Sequence, residues 1–231
     1  VKADGLAAGK GVVVAMTVEE ANAAVEDMLS GNRFGDAGST VVIEEFMEGE
    51  EASLLAFVDG KTVVPMIASQ DHKRIFDGDK GPNTGGMGTY APAPVLTDTL
   101  RDEAMKTILE PMVAAMEKEG MPYEGCLYAG LMITPQGPKV VEFNARFGDP
   151  ETQVVLPLLD SDLGQIMMAC ATGTLTADMV KWKDSSAACV ILASKGYPET
   201  SSKGDVIHGD IKQHDTTIVF HSGTKLVGDR S

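Results

Sequence analysis

The sequence predicts an α+β fold in which antiparallel β-hairpins pack against amphipathic helices. Two turn signals indicate hairpins: Asp59-Gly60 joins two apolar runs, and the letters P-Q-G-P join residues 127–134 to residues 139–144. The longest helical pattern, residues 97–119, places its apolar side chains on one side, and Pro111 predicts a kink within it. A chain of 231 residues can bury a sizeable core between such elements.

The composition excludes several classes of partner. The chain has 19 basic and 34 acidic residues and a net charge of −15, which disfavours binding to nucleic acid or to anionic membranes. The apolar runs are too short to span a bilayer, and no leader pattern is visible. The 3 cysteines lie far apart in mostly apolar surroundings, as is typical of buried thiols in a reducing compartment. We therefore expect a cytoplasmic protein that contacts neither nucleic acid nor membranes.

The first 16 residues are predicted to form a strand, a glycine-rich loop and a second strand at residues 12–16. Backbone N–H groups of such a loop can approach a phosphate, and nearby lysines supply charge. The loop differs from a P-loop because its glycine spacing is too short and no hydroxyl follows the lysine. A plain hairpin loop and a phosphate-binding loop both remain open. The residues concerned are Lys2, Gly5, Gly9, Lys10 and Gly11.

The next segments are predicted to be a helix, a strand and an acidic connector. Thr17 and Glu20 form a capping box before an apolar helical stripe, which Gly31 is expected to end. Residues 41–46 read as a strand that runs into E-E-F-M-E-G-E-E, which is by itself typical of a solvated connector. Further strands are predicted at residues 52–58 and 62–68.

Residues 70–90 read Q-D-H-K-R-I-F-D-G-D-K-G-P-N-T-G-G-M-G-T-Y and show neither helical nor strand periodicity. The absence of periodicity predicts a long loop, and loops of this length in compact domains are usually functional or disordered. His72, Lys73 and Arg74 concentrate positive charge in an otherwise acidic chain. This cluster predicts an anion-binding site.

Residues 139–152 read K-V-V-E-F-N-A-R-F-G-D-P-E-T and combine a strand with a charged turn. Strand side chains alternate between faces, so Glu142 and Asn144 are expected on the same face. Their oxygen atoms suit a hard cation such as Mg²⁺, which usually keeps phosphates among its ligands. A strand that simply exits into a solvated loop is the alternative.

The remainder is predicted to contain two helices and a smaller unit. The helices cover residues 152–159 and 162–171, the second capped by Ser161 and ended near Gly173. Residues 182–186 suggest a boundary, beyond which residues 187–193 and 216–220 read as strands.

Together the glycine loop, the acidic connector, D-H-K-R to G-P-N-T-G-G-M-G, and E-F-N-A-R-F-G-D-P-E-T closely resemble the phosphoribosylamine–glycine ligase family. This family, also called the glycinamide ribonucleotide synthetases, belongs to the ATP-grasp superfamily. The resemblance implies an ATP-grasp fold, in which two α+β subdomains grip ATP, plus the start of a small β-rich C-terminal domain. It places the small subdomain at residues 1–48, the large one at 49–183 and the partial C-terminal domain at 184–231.

The resemblance also implies a reaction. ATP would phosphorylate glycine, and 5-phosphoribosylamine would displace the phosphate to give glycinamide ribonucleotide, a step of purine synthesis, with Mg²⁺ or Mn²⁺ as the metal. The implied partners are the small substrates alone, with a monomer expected and an oligomer left open. The chain starts at Val1 without an initiator methionine, and we expect a fragment that lacks an amino-terminal domain and the end of the C-terminal domain. Such a fragment would be weakly active or inactive alone.

Site residues follow from the resemblance, position by position. The ATP-binding set is Lys2, Gly5, Gly9, Lys10, Gly11, Glu44, Glu45, Phe46, Met47 and Glu51. The metal ligands are Glu142 and Asn144, and the catalytic cations are Lys73, Arg74 and Arg146. The pocket for glycine and phosphoribosylamine comprises Asp71, Asn83, Thr84, Gly85, Gly86, Met87, Gly88, Asp149 and Glu151.

One departure concerns the metal, since Ala129 and Gly130 stand where many ATP-grasp enzymes have a further carboxylate. Occupancy of a second metal is therefore in doubt. Two alternatives remain open, namely another ATP-grasp carboxylate–amine ligase and a nucleotide-binding module without catalysis.

Overall fold

The computed structural model describes residues 1–7, 11–30, 35–209, 214 and 216–227. The chain divides into two compact units, Val1–Glu48 and Gly49–Ser231. Each unit is α+β in its own right.

The first unit contains strand β1 (Lys2–Ala3), helix α1 (Val18–Leu29), a 3₁₀ turn (Gly35–Gly38) and strand β2 (Val41–Val42). Strands β1 and β2 pair in antiparallel fashion. The predicted capping box is confirmed in part: Thr17 Oγ1 accepts from Glu20 N at 3.1 Å, while Glu20 Oε2 accepts at 2.7 Å from Met16 N, one residue before the cap. Gly31, the expected end of the helix, lies outside the described residues.

Of the strands predicted in this unit, one is absent from the described residues and another is shorter than predicted. In place of a strand at residues 12–16, Val12 makes one isolated bridge to Lys2. The strand expected at residues 41–46 stops at Val42. β-branched residues favour extended structure only where a partner strand satisfies their backbone groups, and each segment has a partner over one or two residues.

The second unit is built on a four-stranded antiparallel sheet in the order β4–β3–β7–β8. The strands are β3 (Glu50–Asp59), β4 (Val63–Pro65), β7 (Glu124–Thr134) and β8 (Gly137–Asn144). Both predicted hairpins are confirmed, with Gly60 at φ +94° and Asp59 Oδ1 accepting from Lys61 N at 3.2 Å and Thr62 N at 2.7 Å. Strand β4 is shorter than the predicted 62–68.

Helices cover both faces of this sheet. On one face Leu54 and Val58 pack against α2 (Asp98–Ala104) and α3 (Glu110–Lys118). On the other face Leu55 and Phe57 pack against the side of α4 (Thr152–Val155) and α5 (Leu163–Thr172). Two-sided burial explains why β3 is apolar at nearly every position and not at every second one.

The long helical pattern is interrupted by a π-helical turn, Met105–Leu109, between α2 and α3. Pro111 follows in the first turn of α3. A proline lacks the N–H that would bond four residues back, so the wider turn just before it accounts for the predicted irregularity.

A second sheet contains the segment that we predicted to be a loop, and that prediction is wrong. Strands β5 (Gln70–Phe76) and β6 (Lys80–Ala91) form an antiparallel hairpin, and β9 (Ala187–Val190) pairs with β6. The pairing of β5 with β6 is interrupted by two register shifts. These bulges remove the period of two that would identify a strand in the sequence.

The C-terminal predictions are confirmed in part. Gly173 adopts φ +67° and ends α5, as predicted. The cap of α5 is Asp162, which accepts from Gln165 N at 3.0 Å, whereas the predicted cap Ser161 accepts from Lys181 N at 2.8 Å. Both side chains suit a cap, and only the path of the chain selects one. In place of the strand at 216–220, Thr217 makes an isolated bridge. None of the helices in the described part of the chain is both long and apolar enough to cross a membrane.

Candidate active site

One face of the four-stranded sheet carries polar side chains at its end. Opposed residues of antiparallel strands share a face, and the register opposes Ser53 to Gly130, Gly130 to Glu142, and Tyr128 to Asn144. Asn144 Nδ2 donates to Glu142 Oε1 at 3.2 Å. The prediction that Glu142 and Asn144 share a face is therefore confirmed, although a register shift lies just before Glu142.

Gly130 lies between two of these polar positions and opposite Glu142. A Cβ atom placed on Gly130 would lie 3.4 Å from Glu142 Cγ and 3.5 Å from Tyr128 Cε1. A side chain at this position would be in van der Waals contact with Glu142 and Tyr128.

A buried carboxylate, Glu151, lies beside this face and is 3% exposed. Its Oε1 atom accepts from Ser53 Oγ at 3.0 Å and from Tyr128 Oη at 2.8 Å. Burial, and then the charge of Glu151, raises the pKa of Tyr128, so its hydroxyl stays protonated as a donor. A side chain at Gly148 would collide with Glu151 Oε2, which explains the glycine there.

Ser53 and Tyr128 were missed by the sequence reasoning. Ser53 is the one polar residue in the otherwise apolar run 52–58, and it is buried. A lone hydroxyl in a buried strand needs a partner, which is the signal that could have identified it.

Lys73 lies among several carboxylates of this site. Its Nζ atom is 2.9 Å from Glu51 Oε2. Burial lowers its pKa, but the hydrogen bond and charge of Glu51, followed by the charges of Asp71 and Glu142, raise the pKa overall. Lys73 therefore remains a cation at neutral pH.

Asp71 lies two residues before Lys73 on β5, and its Oδ1 atom is buried without a hydrogen-bond partner among the described residues. Burial, and then the nearby charge of Glu151, raises the pKa of Asp71 to about 7, against the opposing effect of Lys73. The site thus contains a carboxyl group that gains or loses a proton close to neutral pH.

The two predicted catalytic arginines donate hydrogen bonds to backbone carbonyls. Arg74 Nη1 donates to Gly81 O at 2.6 Å, and Arg146 Nη1 donates to Phe147 O at 2.9 Å, both in exposed positions. Burial alternates along β5, with Lys73 half-buried and Arg74 exposed. The predicted cation cluster of residues 72–74 is therefore divided, and only its lysine joins the carboxylates.

The remaining predicted substrate residues lie in β6 and in the turn after β8. Residues 84–87 form a bulge of β6, since Asn83 pairs with Arg74 and Gly88 with His72. Asp149 Oδ1 accepts from Gln153 Nε2 at 2.6 Å and is exposed.

The predicted ATP residues of the first unit have contacts of their own. Lys2 Nζ is 2.7 Å from Glu44 Oε2. A side chain at Gly5 would overlap Ala37, and Ala3 N donates to Gly11 O at 2.8 Å. Glu45, Phe46 and Met47 follow β2 without regular structure, while Gly9 and Lys10 lie outside the described residues.

Comparison with known families identifies this fold as ATP-grasp. A family model described as phosphoribosylglycinamide synthetase, ATP-grasp (A) domain, matches residues 1–152, and one described as the C domain of the same synthetase matches residues 187–231. The chain belongs to the phosphoribosylglycinamide synthetase family.

Three similar proteins carry the name phosphoribosylamine–glycine ligase. The one from Caulobacter vibrioides is 59% identical over 97% of this chain and 53% of its own length. The one from Escherichia coli K12 is 55% identical over 99% of this chain and 54% of its own length. A crystal structure from Thermotoga maritima superposes with a TM-score of 0.77 and 36% identity, over 88% of this chain and 51% of that one. The chain thus spans about half the length of the curated relatives it matches.

Proposed function

We propose that this chain carries the ATP-dependent ligating part of an enzyme that joins glycine to 5-phosphoribosylamine. The observation that supports this most directly is the contact between Glu142 and Asn144 at 3.2 Å, on the face that also carries Ser53 and Tyr128. Lys73 lies within the electrostatic reach of Glu142 and pairs with Glu51. The relatives named phosphoribosylamine–glycine ligase support the choice of substrates.

The residues present fit a divalent metal. Within the described ranges, no group of three or more His, Cys, Asp or Glu side chains is arranged to hold an ion, so protein ligands alone would not complete a site. Mg²⁺ is commonly held by one or two carboxylates together with phosphates and water. Glu142 and Asn144 provide such a partial set, and rotation of the Asn144 amide would present Oδ1. When bound, Mg²⁺ or Mn²⁺ would neutralise charge on the ATP phosphates.

The local charge favours cationic groups. Glu51, Asp71 and Glu142 act on Lys73, and Glu151 acts on Asp71, so carboxyl groups outnumber the lysine here. An amine-bearing substrate gains from this excess, whereas a phosphate needs the metal and Lys73.

The reaction has two steps. A carboxylate oxygen of glycine forms a bond to the γ-phosphorus of ATP, the bond from that phosphorus to the β-phosphate oxygen breaks, and ADP leaves. The amine of phosphoribosylamine then bonds to the acyl carbon, the carbon–oxygen bond to phosphate breaks, and the nitrogen loses a proton. In this proposal Lys73 offsets phosphoryl charge in the first step.

Asp71 is suited to receive the proton in the second step. Its Oδ1 atom has no hydrogen-bond partner among the described residues, and its pKa is raised to about 7. A general base is most effective when its pKa lies near the working pH. The roles predicted for Arg74, Arg146 and the first unit, the cytoplasmic location and the monomeric state stay predictions.

The test uses the complete gene product, with ATP and Mg²⁺, and measures ADP release with and without glycine and phosphoribosylamine. We expect release to require glycine and Glu142→Ala to reduce it by about 10²-fold or more. Glu117→Ala, which removes an exposed carboxylate from α3, is the matched control and should behave as the wild type.

Two results would contradict this proposal. Turnover with a different amine, but not with phosphoribosylamine, would indicate another ATP-grasp carboxylate–amine ligase. ATP binding without any glycine-dependent turnover would indicate a non-catalytic nucleotide-binding module.

A further inference from the structure

The bulge at residues 84–87 interrupts the pairing of β5 with β6. The hydroxyl of Thr84 makes two hydrogen bonds that stabilise the bulge. Thr84 Oγ1 donates to Lys73 O on β5 at 2.7 Å and accepts from Gly86 N within the bulge at 3.0 Å. The bulge is rich in glycine, so its own side chains contribute little to its shape. Contacts from elsewhere in the chain are needed to fix it.

Such contacts come from the C-terminal segment, which the C-domain model matches. Strand β9 pairs Val190 with Gly88, and Ile191 N donates to Met87 O at 2.9 Å. Beyond that strand, Tyr197 Oη accepts from Gly85 N at 2.9 Å, across 112 residues of sequence. A Cβ atom at Gly85 would lie only 3.4 Å from this hydroxyl, so the two groups are closely packed.

The opposite side of the bulge touches the carboxylate site. Gly86 adopts φ +118°, and a Cβ atom there would overlap the ring of Pro150 and lie 2.8 Å from Asp71 Oδ1. The position of Gly86 therefore decides how much room lies next to the unpartnered Asp71 oxygen.

We propose that Tyr197 is a positioning residue for the amine-bearing substrates, because its hydroxyl holds the 84–87 bulge against Asp71 and so sets the shape of their pocket. This inference rests on the proposed function and adds to it a residue from the C-terminal segment. Tyr197 contacts the bulge and not the reacting atoms. Its loss is therefore expected to affect substrate affinity more than the chemical step.

The test compares Tyr197→Phe with the wild type in the complete gene product. We expect the KM for glycine or for phosphoribosylamine to rise by about 2- to 10-fold, the range for one hydrogen bond, with the KM for ATP unchanged. A second measurement is independent of catalysis: amide hydrogen exchange at Gly85 should become faster by a similar factor. The matched control is Tyr123→Phe, which removes another tyrosine hydroxyl, bonded to Cys126 O at 2.5 Å, and should change neither quantity.

Different failures are distinguishable. A wild-type protein without glycine-dependent ADP release would overturn the proposed function and this inference with it. An active wild type with unchanged KM values and unchanged Gly85 exchange in Tyr197→Phe would overturn this inference alone. An equal rise of the KM for ATP would also overturn it, because the effect would then be a general loss of structure.

Discussion

Replacing Asp71 by asparagine should alter stability and activity in opposite directions. The carboxyl lies on β5 with Oδ1 buried and unpartnered in the described part of the chain, close to the charges of Glu151 and Glu51. Burial first, and then Glu151, raises its pKa from 3.8 to about 7. Asparagine keeps the shape and removes the charge.

The sign of the effect follows from proton binding. Between about pH 4 and pH 7 the folded protein holds the Asp71 proton and the unfolded chain does not, so the free energy of unfolding falls as the pH rises through this window. At about 1.4 kcal/mol per pKa unit, a shift of this size sets an upper bound of about 4 kcal/mol. The group is partly exposed and solvent screens its charge, so we expect about 1–2 kcal/mol.

The assay is urea unfolding of the wild type and Asp71→Asn at pH 5 and pH 8. The wild type should lose about 1–2 kcal/mol more than the variant between these values. Asp77→Asn, an exposed aspartate at the tip of the same hairpin, is the control and should follow the wild type. Ligase activity should increase with pH through about 7 in the wild type and be strongly reduced in Asp71→Asn.

Identical pH dependence of unfolding in the wild type and Asp71→Asn would refute this reasoning. It would mean that the Asp71 carboxyl ionises as it does in the unfolded chain. Burial and the neighbouring carboxylates would then not raise the pKa of Asp71.

Three further substitutions test the packing around the site. Tyr128→Phe should lower the free energy of unfolding by about 1.5–3 kcal/mol, measured in urea, because Glu151 loses one of two donors. Gly86→Ala should cost at least about 2 kcal/mol more than Gly120→Ala in the same assay, because both glycines have positive φ but only the first has close neighbours. Asp59→Asn should cost about 1 kcal/mol at pH 7 and nothing near pH 2. Burial raises the pKa of the Asp59 carboxyl, but hydrogen bonds from backbone N–H groups together outweigh burial and lower it.

For each of these substitutions, one result would contradict the prediction. An unchanged unfolding midpoint for Tyr128→Phe would show that water replaces the lost donor at Glu151. Equal costs for the two glycine substitutions would mean that the contacts of Gly86 are easily relieved. A difference for Asp59→Asn that persists at pH 2 would show that its effect does not depend on charge.

The hairpin and helix signals of the sequence were local, and the structure confirms most of them. Asp59-Gly60 and the capping box at Thr17 specify conformations through atoms only a few residues apart. The β5–β6 hairpin was predicted as a loop because its register is interrupted twice, which hides the alternation of side chains. The prediction of a strand at residues 12–16 is wrong for the opposite reason. The composition of this segment suits a strand, but only one of its described residues pairs with another segment.

The residues of the candidate site were also predicted only where the signal was local. The period of two along a strand was enough to place Glu142 and Asn144 on one face. The period could not show that Ser53 and Tyr128 meet Glu151, because those three residues come from separate segments. The concentration of positive charge grouped Lys73 with Arg74, although neighbouring positions of a strand point in different directions.

The sequence by itself determined the α+β class, the ATP-grasp resemblance and the placement of Glu142 and Asn144 on one face, because these depend on local spacing and on motifs within short stretches. Only the tertiary structure decided which polar groups meet: Lys73 with Glu51, Asp71 near Glu151, and Tyr197 with Gly85. The physical reason is that burial and Coulomb interactions depend on distance in space, and strand pairing brings together residues that lie far apart along the chain.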